Sequence, residues 1–180
     1  DLTTHMPWIG ERTRRVDGAH VELFRGVRNP VGVKLGPRAT SRDVVALAGA
    51  LDPHDEPGKL TFITRFGAGN APSLLPPLVD ALRQAGRSAL WICDPMHGNT
   101  RSTADGRKTR DFRAILAEVE ETFAAHAASG SHLGGVHFEM TGEDVTECTG
   151  GAIGLTDADL AANYSTACDP RLNYRQALEM

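Results

Sequence analysis

Short apolar runs alternate along the chain with stretches whose hydrophobic residues recur at helical spacing. The runs are rich in β-branched and aromatic side chains and predict strands near residues 8–11, 31–35, 60–65, 89–93, 135–140 and 165–169. Between them lie three clear helical patterns. Ser41 is placed to cap a helix with Val44, Val45, Leu47, Ala48 and Leu51 on its apolar face. Pro72 opens a second, with Leu74, Leu75, Leu78, Val79 and Leu82 inward and Gly86 as its stop. The longest runs from Asp111 to Gly130 and directs Phe112, Ile115, Leu116, Val119 and Phe123 inward. Thr156 with Asp159, and Asn173 with Gln176, have the spacing of a capping box at a helix start.

Alternating strands and helices with short connections predict a parallel sheet with crossover helices. Several strands are apolar throughout, as strands covered on both faces are. A doubly wound sheet and a (β/α)8 barrel both satisfy this. The position of the chemistry separates them: Glu11, Lys34, Arg65, Asp94 with His97, Glu139 and Asp169 all fall at or just past strand C-terminal ends. A barrel gathers those ends at one mouth, whereas an open sheet strings them along a line. The expected fold class is therefore α/β, a (β/α)8 TIM barrel. Six βα units are visible against the eight a barrel needs, so residues 1–180 are expected to form one partial catalytic domain covering roughly strands three to eight.

Composition narrows the function. The 180 residues are 41% hydrophobic and 23% charged, which excludes a disordered or fibrous chain. No apolar run approaches the ~20 residues that span a bilayer, and no basic patch precedes an apolar stretch at the N-terminus. A net charge of −4 argues against nucleic acid as a partner. Three cysteines, Cys93, Cys148 and Cys168, are too few and too scattered for a disulfide framework or zinc knuckle. A cytoplasmic protein is expected. Of nineteen basic residues only Lys34, Lys59 and Lys108 are lysines, so a lysine inside an apolar strand is conspicuous.

Asp94-Pro-Met-His97-Gly-Asn-Thr100 is a polar turn after an apolar strand. His97 there could ligate a metal, act as a base, or simply bond to backbone. In the 136–140 segment, alternation puts Val136, Phe138 and Met140 on one face and His137 and Glu139 on the other. A buried carboxylate needs a partner or a cation. Asp169 before Pro170 reads as a strand-end ligand or as an exposed Asp-Pro turn. Together His97, Glu139 and Asp169 offer one imidazole and two carboxylates, a set suited to a divalent ion such as Mn, Fe, Co or Zn. Glu11-Arg12, Lys34 and Arg65 form a second theme. Cations at the ends of apolar strands require an anion, either a carboxylate such as Glu11 or a substrate phosphate.

The segments Trp8-Ile-Gly-Glu-Arg-Thr13, Asp17-Gly-Ala-His20, Asn29-Pro-Val-Gly-Val-Lys34, Cys93-Asp-Pro-Met-His-Gly-Asn-Thr100, Lys108-Thr-Arg110, Gly134-Gly-Val-His-Phe-Glu139 and Cys168-Asp-Pro-Arg-Leu-Asn173 resemble class II 3-deoxy-D-arabino-heptulosonate 7-phosphate synthase. That family opens the shikimate pathway to the aromatic amino acids. The resemblance runs over essentially the whole chain. It implies a barrel that condenses phosphoenolpyruvate with erythrose 4-phosphate, with His97, Glu139 and Asp169 as three of four ligands of a divalent metal, commonly manganese or cobalt. It further implies that Glu11, Arg12, Lys34 and Arg65 bind phosphoenolpyruvate with Trp8 nearby, Lys34 and Glu11 acting in catalysis, and that the complete protein is a homo-oligomer. The family's fourth ligand, a Cys, and a further Arg of the phosphoenolpyruvate site lie upstream of the segments present here, as does an N-terminal extension used for assembly and feedback control. No cysteine of this chain matches that Cys; Cys168 adjoins Asp169 and is expected on the opposite face of its strand. Phe66 stands where related sequences usually carry Met. Two alternatives remain: an amino-analogue synthase of an antibiotic pathway, and a catalytically silent, partner-binding fragment.

Overall fold

The computed structural model describes residues 3–180. Five strands form one parallel sheet: β1 (Trp8–Ile9), β2 (Val31–Leu35), β3 (Leu60–Thr64), β4 (Leu90–Cys93) and β7 (Gly135–Val136), adjacent in that order. Helices α1 (Ala19–Arg25), α2 (Ser41–Leu51), α3 (Ala71–Gln84) and α4 (Phe112–Ala128) make the crossovers. A two-stranded antiparallel hairpin, β5 (Thr100–Ser102) and β6 (Lys108–Arg110), precedes α4, and a short α5 (Tyr174–Glu179) follows the last segment. Among the described residues no helix is long and apolar enough to cross a membrane.

Strand alternation divides the sheet into two chemically different faces. Ile9, Val31, Val33, Leu35, Leu60, Phe62 and Trp91 point to one face, and the inward residues of the helices, Val44, Leu47, Leu51, Leu75, Leu78 and Leu82 among them, pack there into the main core. The opposite face carries Trp8, Gly32, Lys34, Ile63, Arg65 and Asp94. Register aligns these positions: Leu35 pairs with Thr64, Thr64 with Cys93, and Cys93 with Val136. One step on, Arg65 N–H donates to the Leu35 carbonyl (2.9 Å), Asp94 N–H to Thr64 (2.7 Å) and His137 N–H to Cys93 (2.8 Å). Arg65, Asp94 and His137 thus stand in one row at the C-terminal edge.

Several expectations change. The first strand is only two residues long, and Glu11 opens a 3₁₀ turn, Glu11–Thr13. The strand expected at 135–140 stops at Val136; beyond it only Met140 pairs, in an isolated parallel bridge to Leu172. No strand forms at 165–169. There the Glu147 carboxylate accepts the backbone N–H of Ser165 (3.3 Å) and of Arg171 (2.8 Å), so a side chain takes donors that a ladder would use. Thr40, not Ser41, caps α2, in a capping box with Asp43. In α4 the buried stripe is Phe112, Ile115, Glu118, Thr122, Ala125 and His126, which leaves Phe123 53% exposed. The 3₁₀ turn Asp157–Ala162 and α5 do carry the capping boxes that the spacing predicts.

His126 is buried against Trp91, and its Nε2 has no hydrogen-bond partner among the described residues. Burial, helped by nearby His132, pulls its pKa down to about 4. A depressed histidine pKa means the unfolded chain takes up the proton first. Stability is therefore fully present above pH 6.5 and lost as pH falls from there toward 4, by roughly 3 kcal/mol. His126→Leu should remove that part of the slope of unfolding free energy against pH; an unaltered slope refutes the assignment.

Candidate metal centre and anion cleft

Asp94 follows β4 and is completely buried. It accepts from the Lys34 ammonium (2.7 Å), from His97 Nδ1 (2.8 Å), and from the backbone N–H of Met96 (3.1 Å) and His97 (3.2 Å). Burial alone would push its carboxyl up, but hydrogen bonds and charge from His97 and Lys34 hold it well below the ordinary range. Lys34 Nζ and His97 Nδ1 lie 3.4 Å apart, and both donate to Asp94 rather than to each other. A carboxylate only accepts, so Nδ1 carries the ring proton. That leaves Nε2 facing outward.

Nε2 points at two carboxylates, 3.1 Å from Glu139 Oε1 and 4.0 Å from Asp169 Oδ2. One ligand atom from each of His97, Glu139 and Asp169 falls within 4.8 Å of the others. The hydrogen bonds of His97, to Asp94 first and to Glu139 second, raise its pKa. Burial opposes ionisation of Glu139, yet His97 and Arg110 bring its carboxyl down to about 2. Arg110, from β6, is fully buried; it donates to Glu139, to Thr100 Oγ1 (2.9 Å) and to the Pro170 carbonyl. Lys108 reaches Asp169 at 3.3 Å. An imidazole with its proton fixed on the far nitrogen and two ionised carboxylates fit a divalent ion of the Mn, Fe, Co or Zn type.

Beside this cluster opens a cleft of about 640 Å³, lined by Glu11, Arg12, Lys34, Arg65, His97 and Asp169 together with Arg38, Lys108 and Cys168. The cleft brings together most of the residues singled out from the sequence. Trp8, 48% exposed, stands at its side with its ring centroid 6.0 Å from Lys34 Nζ and edge-on to His137. Glu11 is not the partner of Lys34: its cation is Arg14, at 3.9 Å, and Lys34 pairs with Asp94. Arg65 donates to the His97 carbonyl, which joins the two halves of the site. Glu139 opens onto an adjoining cleft of about 400 Å³ that also borders Asp169 and Cys168. Cys168 Sγ lies 3.4 Å from Asp169 Oδ2, on the same side rather than the opposite one, because the segment is a turn without strand alternation.

The sequence reading missed the partner roles of Asp94, Arg110 and Lys108. The Asp94–His97 spacing across a proline turn could have revealed the first; no local pattern marks Arg110 as buried.

A model of the Class-II DAHP synthetase family matches residues 1–180. The chain is 51% identical over 180 residues to "Phospho-2-dehydro-3-deoxyheptonate aldolase AroG" of Mycolicibacterium smegmatis, covering all of this chain and 39% of that protein. Proteins called phospho-2-dehydro-3-deoxyheptonate aldolase from Neurospora crassa and Streptomyces coelicolor are each 49% identical, over 182 and 180 residues. All of this chain is covered in both cases, with 38% and 40% of the relative. The chain thus spans about two fifths of the length of these relatives.

Removing the Asp94 charge tests the geometry directly. Asp94→Asn leaves Lys34 without its buried counter-ion and weakens the hold on His97 Nδ1–H, so affinity for Mn²⁺ or Co²⁺ should fall about ten- to hundredfold. Unchanged affinity in a metal titration would show that Asp94 does not orient the ligand.

Proposed function

Since the chain belongs to the Class-II DAHP synthetase family, we propose that it forms part of a (β/α)8 catalytic barrel that condenses phosphoenolpyruvate with erythrose 4-phosphate. The products are 3-deoxy-D-arabino-heptulosonate 7-phosphate and phosphate. The observation that carries this reading is the His97–Glu139–Asp169 cluster opening into a cleft lined by Lys34, Arg65 and Arg12. Support for a barrel comes from the sheet: the helix side chains enter a core on one face, and the chemistry occupies the other. A doubly wound sheet carries helices on both faces. In this reading residues 1–180 are one portion of a single catalytic domain, and the upstream thiolate and arginine that the resemblance implies lie outside them.

Each residue then has a defined task. Lys34, Arg65 and Arg12 hold the phosphate and carboxylate of phosphoenolpyruvate through charge-assisted hydrogen bonds. Trp8 walls the enol side. His97, Glu139 and Asp169 hold a divalent ion, which supplies Lewis acidity toward the aldehyde oxygen of the acceptor. Asp94 keeps His97 in the tautomer that presents Nε2. The methylene carbon of phosphoenolpyruvate forms a bond to the aldehyde carbon, and its neighbouring carbon becomes electron-poor. Water oriented by Glu11 adds there and gives up a proton, while the former aldehyde oxygen, which took the C=O electron pair, gains one. Phosphate departs with cleavage of the carbon–oxygen bond.

The test is turnover by the natural polypeptide carrying these residues. Phosphoenolpyruvate should be consumed only with erythrose 4-phosphate present; chelation should stop the reaction, and Mn²⁺ or Co²⁺ should restore it. His97→Ala and Glu139→Ala should each abolish stoichiometric metal binding and turnover, because two ligands hold a divalent ion too weakly. Lys34→Ala and Arg65→Ala should each weaken phosphoenolpyruvate binding by roughly 1.5–3 kcal/mol, read as KM. Chelator-resistant turnover, or variants that bind phosphoenolpyruvate normally, would overturn the reading.

A further inference from the structure

Glu118 lies midway along α4, is fully buried, and has no part in the reaction above. Its Oε1 accepts the backbone N–H of Phe66 (2.6 Å) and Gly67 (3.0 Å), the two residues after Arg65. Its Oε2 accepts Asn99 Nδ2 (2.7 Å), two residues beyond His97. Asn99 closes the circuit: Oδ1 accepts the Ala68 N–H (2.9 Å), and Nδ2 also donates to the Pro95 carbonyl (2.7 Å). Within this seam the two loops pass backbone against backbone. A Cβ on Gly98 would sit 2.4 Å from the Gly67 nitrogen, and Gly67 itself has φ +84°.

We propose that Glu118 is a positioning residue that locks the Arg65 loop to the His97 loop, so one carboxylate fixes the anion-binding half of the site relative to the metal-binding half. The inference rests on the functional reading above and extends it to a residue that touches neither substrate nor ion. Three donors converge on Glu118, and an acceptor with no N–H of its own satisfies all of them. A glutamine would turn an NH₂ group toward one donor. Holding α4 in place does not require an acid: Ala125 lies in the main core and Ile115 in a second apolar cluster with Met96, Cys148 and Leu172. Burial pushes the Glu118 carboxyl up to about 7, a destabilisation that an apolar residue would avoid. The loops, rather than the core, are what the carboxylate serves.

The experiment uses the natural polypeptide loaded with Co²⁺ and compares three variants with the parent. Glu118→Gln should raise the phosphoenolpyruvate KM by about tenfold or more and alter the Co²⁺ visible absorption, at a temperature where circular dichroism shows it folded. Glu118→Gln/Asn99→Asp restores a donor–acceptor pair between these two side chains but turns an oxygen toward the Pro95 carbonyl that Asn99 Nδ2 had served, so KM should return part of the way toward the parent. Asn99→Ser opens the seam from the other side and should shift KM and spectrum in the same direction; it decides the matter if Glu118→Gln does not fold. Lower thermal stability with KM and spectrum unchanged in the folded variants makes Glu118 merely structural and overturns the inference alone. A parent protein that fails to bind phosphoenolpyruvate in a direct titration overturns the functional reading, and the inference with it.

Discussion

The fully buried Asp94 carboxylate accepts four hydrogen bonds, and the position of the chemistry follows from that constraint. An ionised acid there without donors would be strongly destabilising, so Lys34 and His97 must stay beside it. The dependence runs both ways. Lys34 occupies an apolar strand and is only 8% exposed, so its ammonium needs the same carboxylate. Two backbone amides of the 94–97 turn complete the set. One buried anion thus joins β2 to the end of β4, selects the proton position on an imidazole, and turns the free nitrogen toward Glu139 and Asp169. The interaction does little for net stability that apolar packing could not do. What it provides is orientation.

The parallel ladder makes that orientation reproducible across the sheet. Side chains alternate with period two, so the register that sends Val31, Val33 and Leu35 into the helical core sends Gly32 and Lys34 to the opposite face. A slip of one residue in β3 would expose Phe62 and bury Arg65 among the helices. The same apolar residues that stabilise the core therefore specify where the charges stand. Gly67 and Gly98 add a second restriction at the loop level: only without a Cβ can the segments after β3 and β4 run in contact.

This explains which parts of the molecule were legible in the sequence. The β2, β3 and β4 runs and the stripe of α3 follow from periodicity, and the place of His97 from its strand end; Glu139 and Asp169 reach it from irregular segments rather than from the strand ends that the sequence suggests. The rest depends on partners distant in sequence. Glu147 captures the Ser165 and Arg171 amides and abolishes a strand that local composition favours. Glu118 and His126 rotate the buried stripe of α4, because a hydrophobic pattern counts an acid and an imidazole as solvated and so turns Phe123 inward. The β5–β6 hairpin carries Thr100, Lys108 and Arg110, polar residues whose alternation gives no apolar signal. Lys34 was legible as a buried cation needing an anion, but the sequence pointed to Glu11, and Asp94 becomes its partner only through the register of β2, β3 and β4.

The three metal-competent residues are held by different means, and the difference sets the charge of the site. His97 hangs from a regular strand through Asp94. Glu139 and Asp169 lie in irregular segments, where Arg110 and Lys108 hold them. Before any ion enters, the two carboxylates are already matched by two cations, as Asp94 is by Lys34. A divalent ion held by these two carboxylates would not be neutralised by them and would add positive charge beside Arg12 and Arg65. Such a field favours a substrate carrying several negative charges and disfavours a neutral aldehyde arriving alone. The Arg110–Glu139 pair, fully desolvated on the arginine side, therefore keeps Glu139 from neutralising a cation bound beside it, and the surplus positive charge falls to whatever anion enters the cleft.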